Sequence, residues 1–171
     1  MQDEIINRVA NSGLLTVDLA DLYDGYDPVE LDFRALLHEE LILREKPFRE
    51  FIKSNDWSKY ADKWVCIYSS VDAIIPSWAF MLLSAAMTDF TDNIIQGSPD
   101  ELRKAYILDK INHLDLSIYK DERVIIKGCG EIPIPDAAYV AITKRLKSVV
   151  KSLMYGEACS AVPVYKKKIK S

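Results

Sequence analysis

Shifted by 59 residues, the chain lies on itself. DWSKYADKWVCIYSSVDAIIPSWAF (56–80) falls on DLSIYKDERVIIKGCGEIPIPDAAY (115–139), and without a gap NIIQG (93–97) falls on SLMYG (152–156). Asp56/Asp115, Ser58/Ser117, Tyr60/Tyr119, Asp62/Asp121, Val65/Val124, Ile67/Ile126, Ile75/Ile134, Pro76/Pro135, Ala79/Ala138 and Gly97/Gly156 are identical, ten of 42 positions. Unrelated segments do not agree this well without gaps, so the pattern predicts an internal repeat, and a repeat constrains every other reading of the fold.

Each copy reads the same way. An aromatic and acidic turn leads into a short β-branched run, WVCIY or RVIIK, with the length and composition of a strand. A loop follows, then a proline placed to open a helix, where its missing N–H costs nothing. The helices are expected from about Pro76 to Met87 and from Pro135 to Lys147. The second is amphipathic, with Ala138, Tyr139, Ile142 and Leu146 on one face and Lys144, Arg145 and Lys147 outside. The first is apolar nearly all round, which predicts deep burial or cover by a second subunit in a homodimer. A second short strand ending in glycine closes each copy. Between the copies, GSPDELRKAYILDKINHL predicts another helix: Ser98 suits the cap, Pro99 the first turn, and Asp100 and Glu101 the positive end of the dipole.

The expected fold is therefore α/β. It is a Rossmann-like three-layer sandwich with a mainly parallel sheet, built on an internal β-α-β duplication at about 56–97 and 115–156. Residues 1–171 are expected to form one domain. Residues 1–55 make an N-terminal extension packed on the sheet, with a short helix, strands at LLTVDL and VELDF, and helix through REKPFREFIKSN. Residues 56–171 make the duplicated core. A chain of 171 residues buries roughly 70% of its unfolded surface and needs no disulfide or metal to fold.

Several function classes are disfavoured. The net charge of −4 argues against a general nucleic-acid binder. The tail VYKKKIKS is locally basic and reads as a solvated end, with a contact for an acidic partner as the alternative. The apolar stretch from Ala73 to Met87 is shorter than the roughly 18 residues a membrane span requires. MQDEIINRVANSGLL lacks a basic segment followed by an apolar one, so no secretory leader is expected and the location reads as cytoplasmic. Three cysteines there are thiols or metal ligands and not a disulfide framework.

Parallel sheets bind ligands beyond the carboxyl ends of their strands. The repeat names the loops at that edge: Ser69-Ser70-Val71-Asp72 in one copy, Gly128-Cys129-Gly130-Glu131 in the other. Cys129 stands where Ser70 does, and Glu131 where Asp72 does. GEACSAVP after the last closing strand adds Cys159 to the same edge. A continuous helix through LKSVVKSLMYG would instead send Cys159 to the opposite edge. Two thiols and two carboxylates, Cys129, Cys159, Asp72 and Glu131, suit zinc or iron. The spacing matches no standard finger and no CxxC occurs. The plain alternative has Cys129 filling a tight loop and Cys159 half-buried. Pro133, Pro135 and Glu131 disfavour a phosphate cradle. The same acids disfavour an activated nucleophilic thiol. His113 is expected at a helix end and His38 on a surface or interface. Cys66, mid-strand, reads as core. Trp57, Trp64, Trp78, Tyr60 and Tyr119 read as packing residues. Asp72 also has a turn-forming reading.

EIINRVANSGLLTVDL, VDAIIPSWAFMLL, VIIKGC and YGEACSAVPVYKK together resemble a bacterial family known as domain of unknown function 2480. The resemblance covers nearly the whole chain and implies a small protein without an assigned activity. It also implies a loose association with iron–sulfur cluster assembly and its proteins as partners. The leading expectation is an accessory protein that holds a metal or sulfur species. The first alternative is a small-molecule binder or enzyme using the same cleft, with Ser69, Ser70 and Asp72 as anchors. The second is a homodimeric interaction protein with Trp78 to Met87 in the interface.

Overall fold

The computed structural model describes residues 7–8, 13–128, 130, 132–157 and 160–168. In chain order the elements are β1 (Asn7–Arg8), β2 (Leu14–Asp18), β3 (Pro28–Asp32), β4 (Leu37–His38), β5 (Ile42–Leu43), α1 (Glu45–Ser54), β6 (Trp64–Tyr68), α2 (Ser77–Met87), β7 (Ile94–Gln96), α3 (Pro99–His113), β8 (Arg123–Lys127), α4 (Asp136–Leu146), β9 (Ser152–Tyr155) and β10 (Val162–Lys166). The fold is mixed α/β and rich in parallel pairing. The strands do not join one sheet: the described residues form a five-stranded, a three-stranded and a two-stranded sheet. Two compact units result, Tyr26–Arg103 and Met1–Gly25 with Lys104–Ser171.

In the unit Tyr26–Arg103 the sheet order is β3-β6-β7, all parallel. Val65, Cys66 and Ile67 of the central strand are buried on both faces, which is why WVCIY reads as an unbroken apolar run. Helix α2 covers the sheet through Ala79, Leu83 and Met87, spaced four apart and fully buried. Phe33, Phe48, Trp57 and Tyr60 complete this core. Phe33 meets Phe80 edge-on at 5.0 Å and Phe48 at 6.0 Å. The Trp57 indole N–H donates to the Ile52 carbonyl at 2.9 Å, so its buried polar atom is satisfied. Helix α2 is not buried all round. Met81 is 70% exposed, and Ser77 and Ala85, one turn to either side, are exposed too.

In the other unit the order is β1-β2-β8-β9-β10. Strands β2, β8 and β9 are parallel, and β1 and β10 add antiparallel edges. Val124, Ile125 and Ile126 are the buried centre. Ala138, Ile142 and Leu146 of α4 are fully buried, as are Ile107 and Ile111 of α3. The strand registers in the two units correspond position by position. Val65 pairs with Ile94, and Val124 with Leu153. Pro28 starts opposite Trp64, and Leu14 opposite Arg123. Residues 1–55 thus contribute a hydrogen-bonded strand to each sheet.

Local chemistry recurs at the same spacing. The carboxylates of Asp56 and Asp115 each accept from the backbone N–H and hydroxyl of a serine two residues on, fixing the turn before the central strand. Asp62 and Asp121 both adopt positive φ, near 59° and 57°. Gly97 and Gly156 end the closing strands at φ 154° and 107°, a region that excludes most side chains. Pro76 and Pro135 sit one position before the expected one. Each is the cap residue, with ψ of 141° and 142°, and the helix begins after it. Ser98 and Glu101 form the reciprocal cap of α3.

Phe33 is fully buried at the junction of three aromatic rings, so Phe33→Ala removes a large core volume. It is expected to cost about 3–5 kcal/mol in denaturant unfolding. Met81→Ala on the outer face of α2 is expected to cost less than about 0.5 kcal/mol.

Candidate functional site

The carboxyl edge of β6 and β7 opens into a cavity of about 470 Å³. Its wall carries Ser69 and Asp72 from the loop after β6, and Ser98 and Glu101 from the first turn of α3. Ile75 and Phe80 supply apolar surface. The size falls within the roughly 300–1,000 Å³ typical of small-molecule sites. Among the described residues, two carboxylates and no cationic side chain line it. The Ser69 hydroxyl donates to the Val71 carbonyl at 2.9 Å and tightens the loop. Asp72 is exposed. The Glu101 carboxylate accepts from the Ser98 N–H at 2.8 Å and lies where a side chain on Gly97 would fall. Tyr68 donates its hydroxyl to Glu30 at 3.1 Å, which pushes the phenol pKa up.

Ser70 does not line the cavity. Its backbone N–H donates to the Asp32 carboxylate at 3.0 Å, and the Arg34 N–H donates to the same oxygen at 2.9 Å. Burial pushes the Asp32 carboxyl up, but the Ser70 hydroxyl and these two N–H donors outweigh it and hold the pKa low. Asp32 therefore anchors the loop that carries Ser69 and Asp72. The sequence signal for it is the acid in VELDF just before Phe33.

The corresponding edge of the other unit is built differently. Lys127, at the end of β8, meets Asp18 of β2 at 2.9 Å. The hydrogen bond and the charge of Asp18 raise the lysine pKa, with Glu157 and Asp21 adding to the effect. The Asp21 carboxyl is pushed up by burial first and by Asp18 second. A Cβ on Gly128 would fall against the Tyr139 hydroxyl oxygen, so a side chain there forces that ring to move. Strand β9 ends α4's continuation, so LKSVVKSLMYG is not one helix. Cys129, Glu131 and Cys159 lie outside the described residues. Among the described residues, no group of three or more His, Cys, Asp or Glu is arranged to hold a metal ion. Asp72 belongs to the unit Tyr26–Arg103.

The other candidates are structural. Cys66 is fully buried, and burial, with the charge of Glu30 behind it, pushes its thiol up to about 11. It is protonated and unreactive at neutral pH. His113 ends α3 and lies 2.9 Å from the Asp109 carbonyl. His38 is partly exposed beside Glu39. Tyr60 and Tyr119 are buried at corresponding places. No described helix is long and apolar enough to cross a membrane.

Residues 3–167 match the family described as protein of unknown function (DUF2480), and the chain belongs to it. No curated protein and no solved structure matches the chain.

Asp32 has a lowered pKa, so its stabilising effect is fully present above the unfolded value of about 3.9 and lost as pH falls through the folded value. Asp32→Ala is expected to cost about 0.5–2 kcal/mol at pH 7 in denaturant unfolding, with the difference shrinking below pH ~4. Gly128→Ala is expected to cost about 1–3 kcal/mol. The double variant with Tyr139→Phe should be more stable than Gly128→Ala alone, because the clashing oxygen is gone.

Proposed function

We propose that this chain is a small-molecule-binding protein whose ligand is a small organic amine, held at the carboxyl edge of the Tyr26–Arg103 unit. The observation that carries this reading is the cavity of about 470 Å³ with Asp72 and Glu101 on its wall and no cationic side chain. Such a lining disfavours anions and favours a positive charge. Phe80 and Tyr68 offer ring surface for an ammonium group, and Ile75 and Ala73 for the carbon skeleton. The Ser69 hydroxyl is engaged with the Val71 carbonyl, and no histidine lines the cavity. The wall therefore favours binding over nucleophilic catalysis.

We also infer that the two units are copies of one strand-plus-β-α-β plan. The matched registers, the positive-φ aspartates and the equivalent buried positions of α2 and α4 support this reading. Leu14–Asp18 and Pro28–Asp32 would then be its first strand in each copy.

The test is a thermal-unfolding series with tetramethylammonium and phenethylammonium against phenylacetate. The amines are expected to raise the midpoint by about 2–4 °C at saturating concentration, and phenylacetate to leave it unchanged. Asp72→Asn should remove most of the rise. No rise with either amine, or an equal rise in Asp72→Asn, would sink the proposal.

A further inference from the structure

Beyond that cavity, the described surface carries a second concave feature, a groove of about 900 Å³ on the unit that contains β8, β9 and β10. Its rim is cationic: Arg123, Lys151, Lys166, Lys167 and Lys168, against the single carboxylate of Asp121. Met154 and Pro163, cross-strand partners on one face, give it an apolar floor. This concentration of positive charge stands on a chain whose net charge is −4.

The positive field is built into the fold. The Lys167 ammonium donates to Asp121 at 2.8 Å, and its backbone N–H donates to the Lys151 carbonyl at 2.9 Å, tying the end of β10 to the start of β9. Lys147 lies 5.8 Å from the centre of the Tyr165 ring. Asp121 is held to its charged form by Lys167 first, with Lys120 and Lys151 adding to it. Arg123, Lys151, Lys166 and Lys168 make no ion pair among the described residues. These cations are the groove's unspent binding capacity.

We infer that this groove is a docking site for an acidic peptide segment of a partner protein, one that places apolar side chains between its carboxylates. Charge complementarity and spacing carry the inference. Arg123 starts β8 opposite Ser152, and Ser152 lies opposite Lys166. With strands roughly 4.8 Å apart, the Cα atoms that carry the two cations stand about 10 Å from each other across the sheet. Carboxylates two to four residues apart in an extended segment span roughly 7–13 Å, which matches. Ser152 lies between the two cations, and Met154 and Pro163, the next cross-strand pair on the same face, take the segment's apolar side chains. The peptide does not extend the sheet, because Pro163 and the register shift between Pro163 and Tyr165 spoil β10 as a pairing edge. A polyanion without apolar groups leaves the floor unused.

The test is fluorescence anisotropy with a labelled twelve-residue peptide that alternates glutamate with leucine and phenylalanine. The comparison probes are a glutamate–serine peptide of equal charge and a single-stranded oligonucleotide. The alternating peptide is expected to bind at least about tenfold more tightly than either, and to lose about tenfold in affinity between low and high salt. Lys151→Glu combined with Lys166→Glu should abolish binding while circular dichroism and the unfolding midpoint stay at parental values. Equal or tighter binding of the oligonucleotide or of the glutamate–serine peptide would overturn the inference. So would no binding of the alternating peptide, or binding indifferent to the charge reversal. Self-association of the parent in sedimentation, lost in the charge-reversed variant, would overturn it in favour of a second copy as occupant.

Discussion

Each of the two larger sheets is organised around a strand whose middle residues are buried on both faces: Val65, Cys66 and Ile67 in one unit, Val124, Ile125 and Ile126 in the other. Such a strand has no solvent face, so it needs a parallel neighbour on each edge and cover above and below. The neighbours are β3 and β7 in one case and β2 and β9 in the other. Covering helices supply Ala79, Leu83 and Met87, or Ala138, Ile142 and Leu146. Once that core is in place, the carboxyl ends of the strands and the loops after them are fixed, and with them the places where a ligand can sit. Cys66 belongs to this constraint. A thiol at the centre of a dry strand acts as a small hydrophobe, and its raised pKa follows from burial.

Strands β2 and β3, the parallel neighbours that precede the central strands in the chain, each end in an aspartate that must turn the chain while its neighbours stay buried. Asp18 accepts from the Ala20 N–H and Asp32 from the Arg34 N–H, and the next residues, Leu19 and Phe33, are fully buried. The backbone solution is shared, but the opposing partner differs. Asp18 faces Lys127 and forms an ion pair, whereas Asp32 faces Tyr68 and takes the backbone of Ser70. A one-residue difference at the end of the central strand thus decides whether the aspartate closes its edge with a cation or anchors an open loop.

Much of the fold was legible because burial leaves a period in the sequence. The two central strands, the helices after them and the cap of α3 were all predicted within a residue or two. The division of the parallel strands between two sheets is not legible. Strand pairing depends on which strand, 14–18 or 28–32, lies beside which central strand, and LLTVDL and VELDF share only their apolar alternation and an aspartate just before the last, apolar residue. Ser69 and Asp72 line the cavity because a loop after a strand is placed by the strand. The backbone N–H of Ser70 answers a carboxylate 38 residues away. Asp32 and Glu101 are not legible from the loop's own sequence, because each reaches the loop or cavity from a distant part of the chain.

The amino ends of the closing strands argue that the two units carry opposite electrostatic roles. Asp92 precedes β7 where Lys151 precedes β9, and Trp64 opens β6 where Arg123 opens β8. The hollow in the first unit is lined by Asp62, Asp89 and Asp92, and the groove in the second by lysines. Asp62 and Asp121 hold the same positive-φ turn in both, so the backbone leaves the sign of the field open. Neither Asp92 nor Lys151 is buried, so neither is held by packing, and substitution there costs the core nothing. Surface charge is therefore a property that differs between the two units without touching either core. The basic groove is best understood as a feature added on a scaffold that does not require it.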